Sequence, residues 1–535
     1  MPCCEIHPRV MTPEDEEREL EAFPVEWLPP GELQRSSEVA AFYSGACVLL
    51  TGATGFVGTL VLEKLLRSCP GVSAVYVLVR DKRGVPLRER LRSHLEKQIF
   101  SRARQECPDY LQKVVPIAGD CTQPGLGISA ADAAELTSKV SVVLHLAANV
   151  RFDADLRTAT ITNVVSTREI IALAKRMPNL KAFVYMSTAY SNAPRDEIDE
   201  KFYPPKLSAE ELIKLVSVMD DEQLAQLLPL MLGDWPNTYT FTKAVAEDLI
   251  RTHAAGLPAS VIRPSVVLGT YQEPVALWVG NMYGPSAMAA GAALGVLHTM
   301  LADTSAMADG VPADVVANAT VACAWDTWSR HRMQNLTQLP AAQPLVYNCV
   351  STARHPVSWG TIHGYLFYAK HFPSIKSIWY GYGFMFKQKS LYLIAAVFFH
   401  LIPAIIADTF LCLKGTKPIL WDVYSRIHGT MQVLETFTTK EWTFKDDNLV
   451  CMWGHMGEAD RKLFPCDIAD IDFEWHYKNV MRGFRLYIFN ESFDNLEAAR
   501  KKFHWLAVLH YTTVTILSSL LLLVLWRIIR VLIEL

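Results

Sequence analysis

The stretch TGATGFVG, Thr51 to Gly58, constrains the fold of this chain more than any other. Its three glycines stand three residues apart, directly after the apolar run ACVLL (Ala46–Leu50). A short, continuous apolar run is what a strand buried on both faces shows. Beyond the glycines, Val57, Leu60, Val61, Leu65 and Leu66 recur at helical spacing. The glycines therefore occupy a strand-to-helix turn. There Gly52 allows the tight turn, Gly55 lets a pyrophosphate approach the N–H groups at the helix start, and Gly58 lets the helix pack on the sheet. The spacing is GxxGxxG rather than GxGxxG, so the turn taken alone also fits a purely structural role.

The following strands favour the dinucleotide reading. AVYVLVR ends at Arg80, with Asp81, Lys82 and Arg83 behind it. The adenosine ribose lies near the end of this strand, where a guanidinium and ammonium groups suit a 2′-phosphate. NADPH is therefore expected over NADH, although Asp81 argues the other way and the segment also reads as a solvated charged loop. KVVPI leads to Asp120, placed to bond an adenine amino group, and VSVVLHLAANV leads to the small residues Ala147 and Ala148. NVVSTREIIALAKR, from Asn163, reads as a helix on the other face. This alternation predicts an α/β fold with a Rossmann-type, doubly wound parallel sheet.

The chemistry is expected at two later sites. KAFVYMSTAY is a strand ending in Ser187-Thr188, and TYTFTKAVAEDLI is a helix that carries Tyr239 and Lys243 four residues apart, on one face. An ammonium beside a phenol is expected to lower its pKa from about 10 towards neutrality. Tyr239 could then exchange a proton with a substrate oxygen.

In these motifs the chain resembles the extended short-chain dehydrogenase/reductase family. TGATGFVG, LVRDKRG, HLAANVRF, STAY, YTFTK and VIRPSVVLG appear in that family's order across about 45–300. It resembles one branch more closely, the alcohol-forming fatty acyl-CoA reductases, in LLTGATGFVGTLVLEKLLRSCP, LRTATITNVVSTREI, GDWPNTYTFTK and NMYGPS (Asn281–Ser286). The resemblance continues through VYNCVS, PVSWG and the apolar tail, and so covers nearly all of the chain except its leader. It implies reduction of a long-chain fatty acyl-CoA by NADPH, through a bound aldehyde, to a primary alcohol. It also implies Tyr239 as proton donor, Lys243 as its tuner and ribose ligand, and Thr188 as the group that orients the carbonyl, with Ser187 next in line. The expected cofactor-binding set is Gly52, Thr54, Gly55, Phe56, Gly58, Arg80, Asp120, Ala147, Asn163 and Pro264. A sterol or sugar enzyme of the same fold, a reductase that stops at the aldehyde, and a scaffold with a dead reductase domain are the alternatives.

The remaining features bound the setting. The chain has 535 residues and a net charge of −4, which gives no case for nucleic acid. Eleven cysteines without a CxxC pair point to reduced thiols, with Cys3 and Cys4 open to acylation or simply exposed. His363, His428, His455 and His476 lack metal spacing, and no metal is expected. Leu506–Trp526 carries no formal charge and, at about 1.5 Å per residue, reaches about 31 Å, one hydrocarbon thickness. Basic residues flank it on both sides, so the positive-inside rule does not orient it.

The expected division is a disordered leader over 1–40, an NADP-binding reductase domain over 41–335, a mostly helical C-terminal module over 340–490 and a transmembrane helix over 506–526. The expected location is an endoplasmic-reticulum or peroxisomal membrane, with a single-pass tail anchor and the catalytic domain facing the cytosol. Membrane lipid is an expected partner, and a homodimer is left open. Leu391–Leu413, interrupted by His400, Pro403 and Asp408, reads as a core or membrane-surface segment, with a second span as the alternative. The insertion between Ser191 and Pro236 reads as a lid or substrate loop, and Val275–Met300 as either an acyl tunnel or plain helical core. Lys206, Lys214, Arg354 and Lys376 are weak candidates for the CoA phosphates.

Overall fold

The computed structural model describes residues 30–80, 84–280, 282–337 and 343–534. Asp81, Lys82, Arg83, Asn281, Cys3 and Cys4, singled out above, lie outside the described residues.

Seven parallel strands form the central sheet: β1 (Cys47–Thr51), β2 (Ala74–Val79), β3 (Val114–Ala118), β4 (Val142–His145), β5 (Ala182–Met186), β6 (Ala259–Pro264) and β7 (Leu345–Cys349). Their order is β7-β6-β5-β4-β1-β2-β3, so the chain reverses direction across the sheet between β1 and β4. A crevice opens outside the carboxyl ends of the strands at such a switch point. The register brings Thr51 beside both His145 and Leu78 there.

Alternate side chains of each strand feed two cores. Val48 and Leu50 face a core with Leu60, Val61 and Leu65 of the helix Phe56–Ser68 and with Val316 and Ala319 of the helix Ala313–Thr337. Leu49 faces the other core, with Ile170 and Ile171 of Ser166–Ala174 and Val245 and Leu249 of Thr238–His253. Burial on both faces explains why the strands read as continuous apolar runs.

Two expected boundaries are corrected. β7 lies beyond residue 340, yet it pairs with β6, Asn348 opposite Arg263. A segment assigned to the mostly helical C-terminal module thus completes the sheet as a strand. At the other end, residues 30–40 are not a disordered leader: helices Pro30–Ser36 and Glu38–Phe42 pack on the body. Ser37 Oγ donates to Asp460, whose carboxylate also accepts the Val39 N–H at 3.0 Å. Val39, Phe42 and Tyr43 complete the burial.

The C-terminal part is mostly helical and is tied to the sheet domain by short parallel pairings. Thr443–Phe444 lies against Glu197–Ile198, and Phe384–Phe386 against Thr299–Leu301. The insertion before Pro236 folds as two helices, Ala209–Val218 and Asp221–Leu232, each closed by a reciprocal capping box. Arg157 holds them through Asp221 at 2.6 Å. The chain ends in a single helix, Leu496–Glu534, which extends well past both ends of the expected span.

Candidate active site

The glycine turn is built as its spacing requires. Gly52 has φ +76°, and a Cβ there would stand 2.8 Å from the Ala147 nitrogen, where β1 and β4 part. A Cβ on Gly58 would stand 2.1 Å from the Gly52 carbonyl oxygen, so the helix can approach the turn only as glycine. Gly55 is the N-cap of Phe56–Ser68 and offers no side-chain cap, and no acidic residue occupies the first turn. The N–H groups at this helix start therefore point at an open, electropositive place, with Thr54 and Gly55 exposed beside it. Phe56 is half-buried against Trp278, with ring centroids 5.3 Å apart.

Thr51 ties the two sides of the crevice together. Its Oγ1 accepts the Ala147 N–H at 3.1 Å and pairs with His145 Nδ1 at 2.7 Å. His145 is fully buried, and burial lowers its pKa to about 3, so it stays neutral. Sequence reasoning missed this pair, whose only signal is a polar residue at each strand end.

The other expected cofactor residues divide. Arg80 is exposed at the end of β2. Asp120 sits at the end of β3, but one carboxylate oxygen already accepts from the N–H and hydroxyl of Thr122, at 2.9 and 2.8 Å. Asn163 is 1% exposed and committed inside the protein. It accepts the Asn149 N–H at 2.8 Å and donates to the Asn149 carbonyl and to Thr242 Oγ1. It lies in the π-helical turn Ile161–Val165 and latches the loop after Ala147, so its role towards a ligand is positional. Pro264 ends β6, and the buried hydroxyl of Ser265 beside it finds no partner among the described residues. A glycine cradle that a Cβ would fill, together with this orphan hydroxyl, fits a dinucleotide lying along the strand ends.

The catalytic candidates converge at the ends of β5 and of the helix Thr238–His253. Asn237 caps that helix, accepting the Thr240 N–H at 2.9 Å. Ser187 and Thr188 are neighbours with different duties. Ser187 Oγ donates to Glu247, which also accepts from Ser191 at 2.8 Å and from Arg263 Nε at 2.9 Å. Thr188 Oγ1 instead accepts the Tyr190 N–H at 3.3 Å, and its hydroxyl lies close enough to the Tyr239 phenol to pull the phenol's pKa down. Lys243 Nζ donates to the Met186 carbonyl at 2.6 Å and to Tyr185 Oη at 3.2 Å.

The electrostatics differ from the expectation. Burial pushes the Tyr239 phenol up to about 12, with the nearby Thr188 hydroxyl pulling the other way. Burial lowers Lys243 to about 7, against the attraction of Glu247. Lys243 is spent on Met186 and Tyr185, and loss of water outweighs its field at the phenol. Tyr239 is therefore held as the neutral acid, the form that can donate a proton.

An aromatic wall stands over Tyr239. Phe152 stacks on it at 5.5 Å and on Phe437 at 5.3 Å, and Phe437 comes from the helix Leu420–Thr439 of the C-terminal part. Two of the four basic candidates for CoA are engaged elsewhere: Arg354 with Asp446 at 2.7 Å, and Lys376 with the Phe489 carbonyl at 2.5 Å. From the Val275–Met300 run, Met288 and Ala290 of the helix Gly284–Ala293 are buried in cores shared with C-terminal residues.

The family models described as male sterility protein match at two places, an NAD-binding model over residues 50–320 and a second, Sterile, model over 399–491. Fatty acyl-CoA reductase 1 of Rattus norvegicus is 37% identical over 491 residues, 92% of this chain and 93% of the relative. This chain belongs to the fatty acyl-CoA reductase family. Fatty acyl-CoA reductase wat of Drosophila melanogaster is 36% identical, covering 91% of this chain and 93% of its own. Fatty acyl-CoA reductase 2 of Bos taurus is 34% identical, with 92% and 93% covered. A solved reductase domain of a non-ribosomal peptide synthetase from Mycobacterium tuberculosis shares the fold, with TM-score 0.51, 19% identity, and 86% and 99% of the two chains covered. The chain is thus an oxidoreductase with a nicotinamide-dinucleotide domain.

Proposed function

We propose that this fatty acyl-CoA reductase converts a long-chain acyl-CoA to the primary alcohol, through an aldehyde that stays bound, with NADPH as reductant. The observation that carries the reading is the convergence of Thr188, just after β5, with the buried Tyr239 and, one turn along the same helix, Lys243, at the strand ends that also hold the glycine cradle. When bound, NADPH supplies one hydride for each of two reductions. The protein's part is to hold and protonate one oxygen twice. In the first reduction the thioester carbonyl carbon gains hydrogen and its oxygen takes the Tyr239 proton, giving a hemithioacetal. The carbon–sulfur bond then breaks, CoA leaves as the thiol, and the oxygen becomes an aldehyde carbonyl. In the second reduction the same oxygen is protonated again and remains as the alcohol. Both reductions develop negative charge on that oxygen, so one donor pair, Thr188 and Tyr239, serves both. In this reading Lys243, lowered by burial to about 7, binds ribose hydroxyls with its remaining donor and returns a proton to Tyr239.

NADPH is preferred over NADH because Arg80 ends β2, where a 2′-phosphate would lie. Phe152 and Phe437 keep water from the aldehyde and offer an apolar surface to the acyl chain. The helix Leu496–Glu534 lies within a 42-residue apolar helical stretch whose most apolar window is 0% buried, and we assign it as the membrane anchor. The body would then face the cytosol, where acyl-CoA and NADPH are found, from an endoplasmic-reticulum or peroxisomal membrane.

The test is incubation of the detergent-solubilised protein with palmitoyl-CoA and NADPH, followed by lipid extraction. Hexadecanol from the wild type and none from Tyr239→Phe supports the reaction and the acid. Hexadecanal alone would sink the second reduction, and equal rates with NADH would sink the cofactor preference.

A further inference from the structure

A cavity of about 230 Å³ lies behind an apolar surface that no described part of the protein covers. It opens between the helix Lys389–Leu413 and the helix Leu420–Thr439, lined by Leu301, Tyr392, Ala396, Leu401 and Met431, with the Lys389–Glu435 ion pair beside it at 2.7 Å. Sites for whole small molecules run to roughly 300–1,000 Å³. This one is sized for a stretch of alkyl chain.

The helix in front of it is two-faced in the wrong sense for water. Tyr392, Ala396, His400, Ala404 and Asp408 recur every four residues and are buried. His400 Nε2 accepts the His298 N–H at 2.9 Å. Asp408 accepts the N–H groups of Ile419, Leu420 and Trp421 at 3.0, 3.0 and 2.8 Å and so closes the hairpin onto the next helix. The polar residues that interrupt the run thus hold its inner side. The outer side shows Leu393, Ile394, Val397, Phe398, Ile405 and Ile406, all exposed.

This outer face is continuous with the tail helix. Tyr382 stands 4.4 Å from His510, near the start of the uncharged run, and 6.1 Å from Phe399, near the middle of the hairpin helix. Trp379 Nε1 donates to His510 at 3.1 Å. A bilayer that receives the tail would meet the hairpin at its surface. On the inner side, Met431 and Phe437 belong to one buried cluster and lie six residues, about 9 Å, apart on one helix. Phe437 leads through Phe152 to Tyr239.

We propose that the hairpin rests in the membrane surface and that the cavity behind it is a lateral gate, through which the alkyl chain of substrate or product passes between the bilayer and Tyr239. This rests on the reading of the chain as a membrane-anchored acyl reductase. The experiment uses full-length protein in phosphatidylcholine vesicles and a palmitoyl-CoA analogue with a diazirine in its chain. After irradiation, labelled peptides are mapped by mass spectrometry, with and without excess palmitoyl-CoA, while hexadecanol formation is measured in the same vesicles. The expected result is competable label on the peptides spanning 389–401 and 428–435, reduced at least tenfold by Ala396→Trp. Competable label only elsewhere, with hexadecanol still formed, overturns the gate and leaves the reductase reading standing. Undiminished label in a folded Ala396→Trp protein also overturns it. Should that variant fail to fold, the wild-type map decides alone. Absence of hexadecanol from the wild type counts against the reductase reading, whereas competable label at the cavity in that case still supports an alkyl site there.

Discussion

Two lysines are buried among the described residues, and they are treated in opposite ways. Lys64, buried on the helix Phe56–Ser68, pairs directly with Glu273. Glu273 also takes Arg67 at 3.0 Å and Asn318 at 2.9 Å, and Arg67 reaches back to Glu63 at 2.8 Å. Every charge in that group is matched. Lys243 lies four residues before Glu247 on its helix, yet Glu247 is occupied by Arg263, Ser187 and Ser191. Lys243 is left with a carbonyl and a phenol, two acceptors for its three donors among the described residues. Burial lowers Lys64 to about 8 and Lys243 to about 7. A cation whose carboxylate is matched is structure; one denied its carboxylate is kept for a ligand.

The largest expected effect lies beside the second lysine. Tyr239→Phe removes the acid and should lower kcat by about 10²–10⁴-fold, with nucleotide affinity, read by fluorescence titration, little changed. The comparison itself is tested by removing each lysine in turn. Lys64→Met strands Glu273 among fewer partners and should cost about 3–5 kcal/mol of stability in chemical unfolding. Nucleotide binding by the folded fraction should be preserved. Lys243→Met should do the reverse: NADPH affinity falls by about ten- to a hundredfold, the worth of a hydrogen bond to a charged group, while stability holds or rises. If both variants lose stability and keep affinity, the distinction between the lysines is wrong.

The smallest effect is on pH. Lys243 is charged below about 7 and neutral above it, so NADPH should bind more tightly at pH 6 than at pH 8. One proton limits the slope to tenfold per pH unit, about 1.4 kcal/mol. Lys243→Met should flatten this component, whereas Lys64→Met should leave it in place.

The parts of the site that could be read from the sequence are those where one short segment carries the whole requirement. The glycine turn, the strand ends at Arg80, Asp120 and Ala147, and the Tyr239–Lys243 spacing are of this kind. What could not be read depends on residues far apart in the chain. Ser187 and Thr188 are indistinguishable until Glu247 and Arg263 claim the first. Asn163 looks like a ligand until Asn149 and Thr242 use up its amide. Phe152 carries no signal, because its meaning comes from Phe437, some 285 residues later. Residues 345–349 fell into the next module because a segment's place in a sheet is decided by its partner, here β6. Lys243 was expected to acidify Tyr239, and sequence spacing says nothing of the water that both groups lose.

The clasp of Ser37 and Val39 on Asp460 sets an order on the making of this protein. The two ends of the contact are separated by 423 residues. At roughly 5–20 residues per second, the ribosome needs on the order of half a minute or more to travel from one to the other. For all of that time the N-terminal helix lacks its Asp460 acceptor, and for most of it the wall of the helix Ala313–Thr337 is missing as well. This early segment is therefore among the last to be locked. A truncation or bulky tag close to residue 37 would act chiefly on how the C-terminal half closes, far along the chain from where it was placed.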